Sequence, residues 1–141
     1  MSDTYASAIR YLTRREHSVF ELRQKLIKTG FSEEEIEATL AKLIELDLQS
    51  DVRFTESFIR YRQGQGRGPV RIKQELLERG IHGELIRDQL NEQDENWFDI
   101  AKRVFEKKFK GKPFQDFKEK AKAMRFLHYA GFTYDQIRRI I

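Results

Sequence analysis

The chain reads as an all-α protein built from tandem three-helix repeats. Three observations predict this. Apolar residues recur at helical spacing almost throughout; glycine and proline are scarce, 8 and 2 in 141 residues; and the sequence matches itself at a shift of 50 residues, Ile9-Arg10-Tyr11 falling on Ile59-Arg60-Tyr61. No segment alternates convincingly with period two, although Val52–Phe54 does so briefly.

Taken in order, Tyr5, Ala8, Ile9 and Leu12 follow the i, i+3, i+4, i+7 pattern of a first helix. Phe20, Leu22, Leu26 and Ile27 form the apolar face of a second. Gly30 sits just past it, where a left-handed C-terminal residue is wanted. Ser32 with Glu35 is a capping box ahead of a third helix, whose face is Ile36, Leu40, Leu43 and Ile44.

The second repeat follows by the 50-residue shift. Phe20 falls on Val70, Leu22 on Ile72, Gln24 on Gln74, Leu26-Ile27 on Leu76-Leu77, Gly30-Phe31 on Gly80-Ile81, Ile36 on Ile86 and Leu40 on Leu90. A third copy lies a further 51 residues on, where Leu127, Gly131, Phe132 and Ile137 follow Leu76, Gly80, Ile81 and Ile86. Thr133 with Gln136 recreates the capping box there. The first helix of this copy, around Trp97, Ile100, Ala101 and Val104, stands off register, and the longer segment around Lys110-Gly111-Lys112-Pro113 is the expected cause. Trp97 and Phe98 are expected to fill its core. The units are therefore placed at 1–50, 51–96 and 97–141, and stacking their faces predicts an elongated, curved helical array. A single bundle with accidental periodicity is the alternative.

Composition narrows the function. With no cysteine, disulfides, thiolate metal sites and a cysteine nucleophile are excluded. His17, His82 and His128 lie far apart without metal-ligand spacing. No apolar run exceeds two residues, so neither a membrane span nor a signal segment is expected, and the cytoplasm is the expected location. The formal charge is +4, unevenly spread: residues 96–141 carry 12 cations against 5 carboxylates. Such a bias suits an anionic partner, nucleic acid or an acidic protein surface, and equally a merely soluble surface.

Between Ser57 and Gln74 stand five cations, Arg60, Arg62, Arg67, Arg71 and Lys73, and no carboxylate. Inside this stretch runs Gln63-Gly64-Gln65-Gly66-Arg67-Gly68-Pro69. Pro69 suits the first position of a helix, and the alternate glycines suit a tight bend or close backbone approach to a partner. No Gly-Lys-Ser/Thr follows, so this is not a phosphate-cradling loop of known type. Arginine's planar fork favours phosphate and carboxylate. Lys102, Arg103, Lys107, Lys108, Lys110 and Lys112 form a second basic patch. A solvated basic loop is the competing reading.

Asp51-Val52-Arg53-Phe54 through Arg60, then Gly66-Arg67-Gly68-Pro69-Val70-Arg71-Ile72, Glu75-Leu76 and Gly80-Ile81, resemble the signature of the RecX family. Ser18 with Glu21-Leu22 and Lys25-Leu26 resembles that family's first repeat. The resemblance spans about residues 8–137 and is strongest over 51–81. It implies tandem three-helix repeats and a non-enzymatic regulator of the RecA recombinase, one that lodges in the groove of the RecA filament on single-stranded DNA. There it would inhibit ATP hydrolysis and strand exchange, with direct DNA contact as a further feature. A monomer without cofactor, metal or membrane association is expected.

The eleven cations named above are the expected contact residues for filament or DNA. Arg53 matches the signature too, but pairing with a nearby carboxylate is an equal expectation. Tyr61 suits base stacking, yet Tyr11 holds the same repeat position, so packing is the preferred expectation. A general basic helical nucleic-acid-binding module is the alternative to the filament regulator. An enzyme is not expected, because no nucleophile–base pair, metal cluster or paired catalytic carboxylates can be named.

Overall fold

The computed structural model describes residues 2–141. Among them are nine helices and no strand: α1 (Asp3–Arg14), α2 (Val19–Thr29), α3 (Glu33–Glu45), α4 (Asp51–Gly64), α5 (Pro69–Glu78), α6 (Gly83–Gln89), α7 (Asn96–Phe109), α8 (Phe117–Ala130) and α9 (Tyr134–Ile140). The fold is all-α and made of tandem helical repeats. Val52–Phe54, which alternates briefly, lies inside α4, where Phe54 is buried and Val52 exposed.

The helix boundaries follow from local chemistry. Ser18, Ser32 and Thr133 each accept from the backbone N–H three residues on, while Glu21, Glu35 and Gln136 reach back, so three capping boxes are complete. Gly30, Gly80 and Gly131 end the middle helix of each repeat at φ +98°, +78° and +107°, which is why the three positions coincide under the sequence shift. Pro69 opens α5 as its first residue.

The third repeat departs as its register suggested. The connection before α8 runs over 110–116, against 65–68 before α5, and Lys110 and Gly111 both turn through positive φ there. α8 also spans 14 residues where α5 spans 10. Both changes push α7 toward the N-terminus relative to α4.

Contacts divide the chain into two compact units. The first comprises residues through Phe58 and Leu76–Ile86, the second Ile59–Glu75 and Arg87–Ile141. In the first, Ala8, Leu22, Leu26, Ile36, Leu40 and Leu43 form one buried cluster with Tyr11, Leu12, Val19 and Phe31 packed against it. A fully buried leucine contributes about 1.5–3 kcal/mol relative to an exposed one, so Leu22 and Leu26 of α2 and Leu40 and Leu43 of α3 each add on that order to this core. Ser18 Oγ also donates to Arg79 O at 2.8 Å, tying the start of α2 to the end of α5 within the unit. Arg53 is held here by Glu16 at 3.1 Å and Asp47 at 3.0 Å. The pairing expectation is therefore the one that describes it.

In the second unit Ile72, Ile100, Ala101, Leu127, Phe132 and Ile137 are buried. Trp97 is buried as expected, its indole N–H donating to Asn91 O at 2.8 Å. Phe98 is half-buried beneath the Arg139 guanidinium, 3.6 Å from the ring centroid.

Candidate anion-binding cavity

The second unit contains a cavity of about 500 Å³ lined by Gln63, Gly64, Gln65, Gly66 and Arg67 from the end of α4 and its following loop, by Ile100, Arg103, Val104, Lys107 and Lys108 from α7, and by Phe126 from α8. Four of these side chains are cationic and none is a carboxylate. The apolar floor is Ile100, Val104 and Phe126.

Glycine chemistry sets the loop's path. A Cβ on Gly68 would lie 2.3–2.4 Å from backbone atoms of Gly131 and Phe132. That approach lets Gly68 N donate to Ala130 O at 2.8 Å and Val70 N to Gly131 O at 2.9 Å. The N–H of Gly68, just before α5, and that of Val70 in its first turn are thus satisfied by the carbonyls of Ala130 and Gly131 at the end of α8. Gly66 turns through φ +79°, with its absent Cβ 2.8 Å from Val104 Cγ2. The expectation for these glycines is a tight bend or close backbone approach to a partner; Gly66 makes the bend, and at Gly68 the close approach is made inside the unit, against Gly131.

Arg67 is the cavity's distinctive group. Its Nε is buried and has no hydrogen-bond partner. Burial holds its guanidinium below the ordinary arginine range, and the nearby Arg71 and Arg62 charges add to the effect, opposed by Glu75. It stays cationic at neutral pH. Arg62 instead has a bidentate partner, donating to Glu75 at 2.8 and 2.6 Å through Nε and Nη2. Arg71 shares that carboxylate at 3.6 Å and donates to Tyr129 O at 3.4 Å. One carboxylate thus serves two arginines while the third beside them is left without a salt bridge.

The structure therefore brings Arg67, Arg103, Lys107 and Lys108 into one cavity and places Arg62 and Arg71 beside it. Arg60, Lys73, Lys102, Lys110 and Lys112 are exposed and outside its lining. Tyr61 corrects an expectation: its ring is 64% exposed rather than packed, and its hydroxyl accepts from Gln65 Nε2 at 3.1 Å. Tyr11, at the same repeat position, is half-buried, with Lys25 Nζ 4.8 Å from its ring centroid. Phe126 had no signal in the sequence, because only the packing of α8 against α7 brings it to the cavity.

Fold and site together define an all-α tandem-repeat protein carrying a carboxylate-free cationic cavity. Residues 5–43, 50–90 and 94–141 match the first, second and third three-helix domains of RecX. The chain is 44% identical to the Regulatory protein RecX of Legionella pneumophila over 140 residues, 99% of this chain and 93% of that one. It is 44% identical to that of Pseudomonas putida over 96% of this chain and 86% of the relative. It superposes on the crystal structure of RecX from Lactobacillus salivarius with a TM-score of 0.79 and 26% identity, covering 97% of this chain and 91% of that one. The chain belongs to the RecX family of regulatory proteins. No helix among the described residues is long and apolar enough to cross a membrane.

Proposed function

We propose that this chain regulates RecA by binding its filament on single-stranded DNA as a monomer in the cytoplasm, inhibiting ATP hydrolysis and strand exchange and so modulating recombination and DNA repair. The observation that carries this reading is the cavity around Arg67. A buried guanidinium nitrogen with no partner costs about 1–3 kcal/mol in the isolated chain, more for a charged group. That nitrogen is closed off from solvent, and an anion from DNA or from an acidic side chain of the filament is held instead by the cationic groups lining the cavity, Arg67, Arg103, Lys107 and Lys108. Three successive repeats also allow several weak contacts to add through effective concentration. The outlying cations Arg60, Lys73, Lys102, Lys110 and Lys112 belong on the wet rim of such an interface, where each is worth little.

The test is RecA ATP hydrolysis on single-stranded DNA, titrated with wild type and with the Arg67→Ala, Arg71→Ala double variant. Loss of charged contacts at a desolvated interface weakens inhibition about 10- to 100-fold per contact. Full inhibition by a normally folded double variant refutes the interface. Arg71 already touches Glu75, so the single Arg67→Ala variant, which breaks no salt bridge, separates binding from stability. Wild type that binds naked DNA but leaves RecA turnover untouched favours the general nucleic-acid-binding module.

A further inference from the structure

We propose that Lys25 is a site of chemical acylation by small acyl phosphates, with His17 taking the proton and a pocket at Arg10 and Arg14 holding the phosphate. The site lies wholly within the first unit and stands apart from the filament reading.

A lysine on a helix surface ordinarily stands in water as a protonated amine, unreactive toward acyl donors. Lys25 is placed differently. It is half-buried on α2, its Nζ 2.7 Å from His17 Nε2 and 4.8 Å from the Tyr11 ring centroid. His17 is itself buried, and its Nδ1–H donates to Arg15 O at 3.0 Å. That bond fixes the tautomer and leaves the Nε2 lone pair facing Lys25. An amine beside a base that a third group orients is the arrangement of an activated nucleophile. Burial pulls Lys25 below the ordinary lysine range, and the Arg15 and Arg14 charges add to this, opposed by Glu21 and Tyr11. Glu21 is already engaged, accepting from Arg15 Nη1 and Nη2 at 3.1 and 3.2 Å.

Beside this cluster lies a pocket of about 150 Å³ lined by Ser7, Arg10, Tyr11, Arg14 and Thr29. It shares Tyr11 with Lys25, and Thr29 Oγ1 donates to Lys25 O at 2.9 Å, so it sits one helical turn from the lysine. Arg10 is steadied by donating to Ser7 Oγ at 2.9 Å. Two guanidinium groups with no carboxylate among the lining residues suit a phosphate dianion. The volume is far below the roughly 300–1,000 Å³ of sites for larger ligands, which favours a small acyl phosphate over a nucleotide-bearing thioester.

The step balances with these groups alone. Lys25 attacks as the free amine: its nitrogen bonds the acyl carbon and the carbon–oxygen bond to phosphate breaks. The proton leaving nitrogen passes to His17 Nε2 and on to the departing phosphate. The products are an amide on Lys25 and hydrogen phosphate. The amide is uncharged, so the cation over Tyr11 is lost.

Acetyl phosphate added to the full chain, with acetylated peptides quantified by mass spectrometry, tests this. Lys28, exposed on the same helix, is the internal control. Lys25 is expected to react at least about 10-fold faster than Lys28 at neutral pH, the ratio narrowing toward about pH 10, where Lys28 also gives up its proton. A ratio near one, or one that does not change with pH, overturns the proposal. His17→Gln is expected to slow Lys25 about 10-fold or more while leaving Lys28 alone; an unchanged Lys25 rate in a folded variant overturns it. Arg10→Ala with Arg14→Ala is expected to slow reaction with acetyl phosphate at least about 5-fold more than reaction with uncharged N-acetylimidazole. Equal slowing of both donors overturns the phosphate pocket. Should His17→Gln not fold by circular dichroism, the wild-type chain decides: inorganic phosphate is expected to compete with acetyl phosphate at Lys25 and not at Lys28, and absence of that competition overturns the proposal.

Discussion

The three glycines at 64, 66 and 68 sit in one short motif but face different surroundings, and alanine at each should separate them. At Gly68 the added Cβ meets backbone, not a side chain that can swing away, at 2.3–2.4 Å. The loop must retreat from Gly131, which stretches or breaks the two hydrogen bonds from Gly68 N and Val70 N. Two backbone bonds at about 0.5–1.5 kcal/mol each, plus about 1–3 kcal/mol of overpacking strain, give a loss of about 2–6 kcal/mol. That is a large share of the 5–15 kcal/mol typical of a folded domain. At Gly66 the positive φ costs alanine about 1–2 kcal/mol, and the neighbour is only the Val104 methyl. At Gly64 nothing lies within 4 Å and φ is not positive, so alanine should stabilise the end of α4 by about 0.5 kcal/mol. Urea unfolding followed by helical circular dichroism reads all three. A Gly68→Ala protein within about 0.5 kcal/mol of wild type would show that the approach to Gly131 is not what constrains this loop.

Two further outcomes are expected. His17 is buried, its Nδ1–H donates to Arg15 O at 3.0 Å and its Nε2 accepts from Lys25 Nζ at 2.7 Å. Burial lowers its pKa from 6.5 and the Arg15 and Lys25 charges add to this, against the Arg15 carbonyl and Glu21. The stability held by neutral His17 is therefore complete above pH 6.5 and is lost as pH falls toward the lowered value. Urea midpoints should drop more steeply on acidification in wild type than in His17→Gln, and parallel profiles would count against this account. Ser18→Ala should cost about 2–3 kcal/mol, because it removes both the α2 cap and the bond to Arg79 O. Ser32→Ala removes an exposed cap with its bond to Glu35 and should cost about 1 kcal/mol, both losses being read from urea unfolding.

What the sequence made legible is local. Gly30, Gly80 and Gly131 are visible because a left-handed helix end admits few residues, and the capping boxes because their spacing is rigid. The faces at Leu22 and Leu26, Ile72 and Leu76 show because burial demands apolar groups at helical period. The start of α7 was hidden by a longer connection and a longer α8, which change register without changing pattern. The cations of the cavity were each legible as basic residues, but their convergence depends on the Gly68–Gly131 approach, a backbone contact with no side-chain signature. Tyr61 and Tyr11 show the same limit: identical residues in equivalent positions meet different neighbours, and only the neighbours decide burial.

The capping of α5 by α8 bears on how the chain is made. Arg71 and its acceptor on α8 are 58 residues apart, and the Gly68 and Val70 bonds span a similar interval. At translation rates of about 5–20 residues per second, the start of α5 waits about 3–12 seconds for the carbonyls that complete it. Meanwhile Leu76–Ile86 belongs with residues already synthesised. A nascent chain therefore carries a settled segment behind an unsettled one, and the arginine-rich stretch leaves the ribosome before its own unit exists. Vectorial synthesis leaves that stretch, like the residues from Arg87 onward, waiting for its final surroundings after Leu76–Ile86 has found its own.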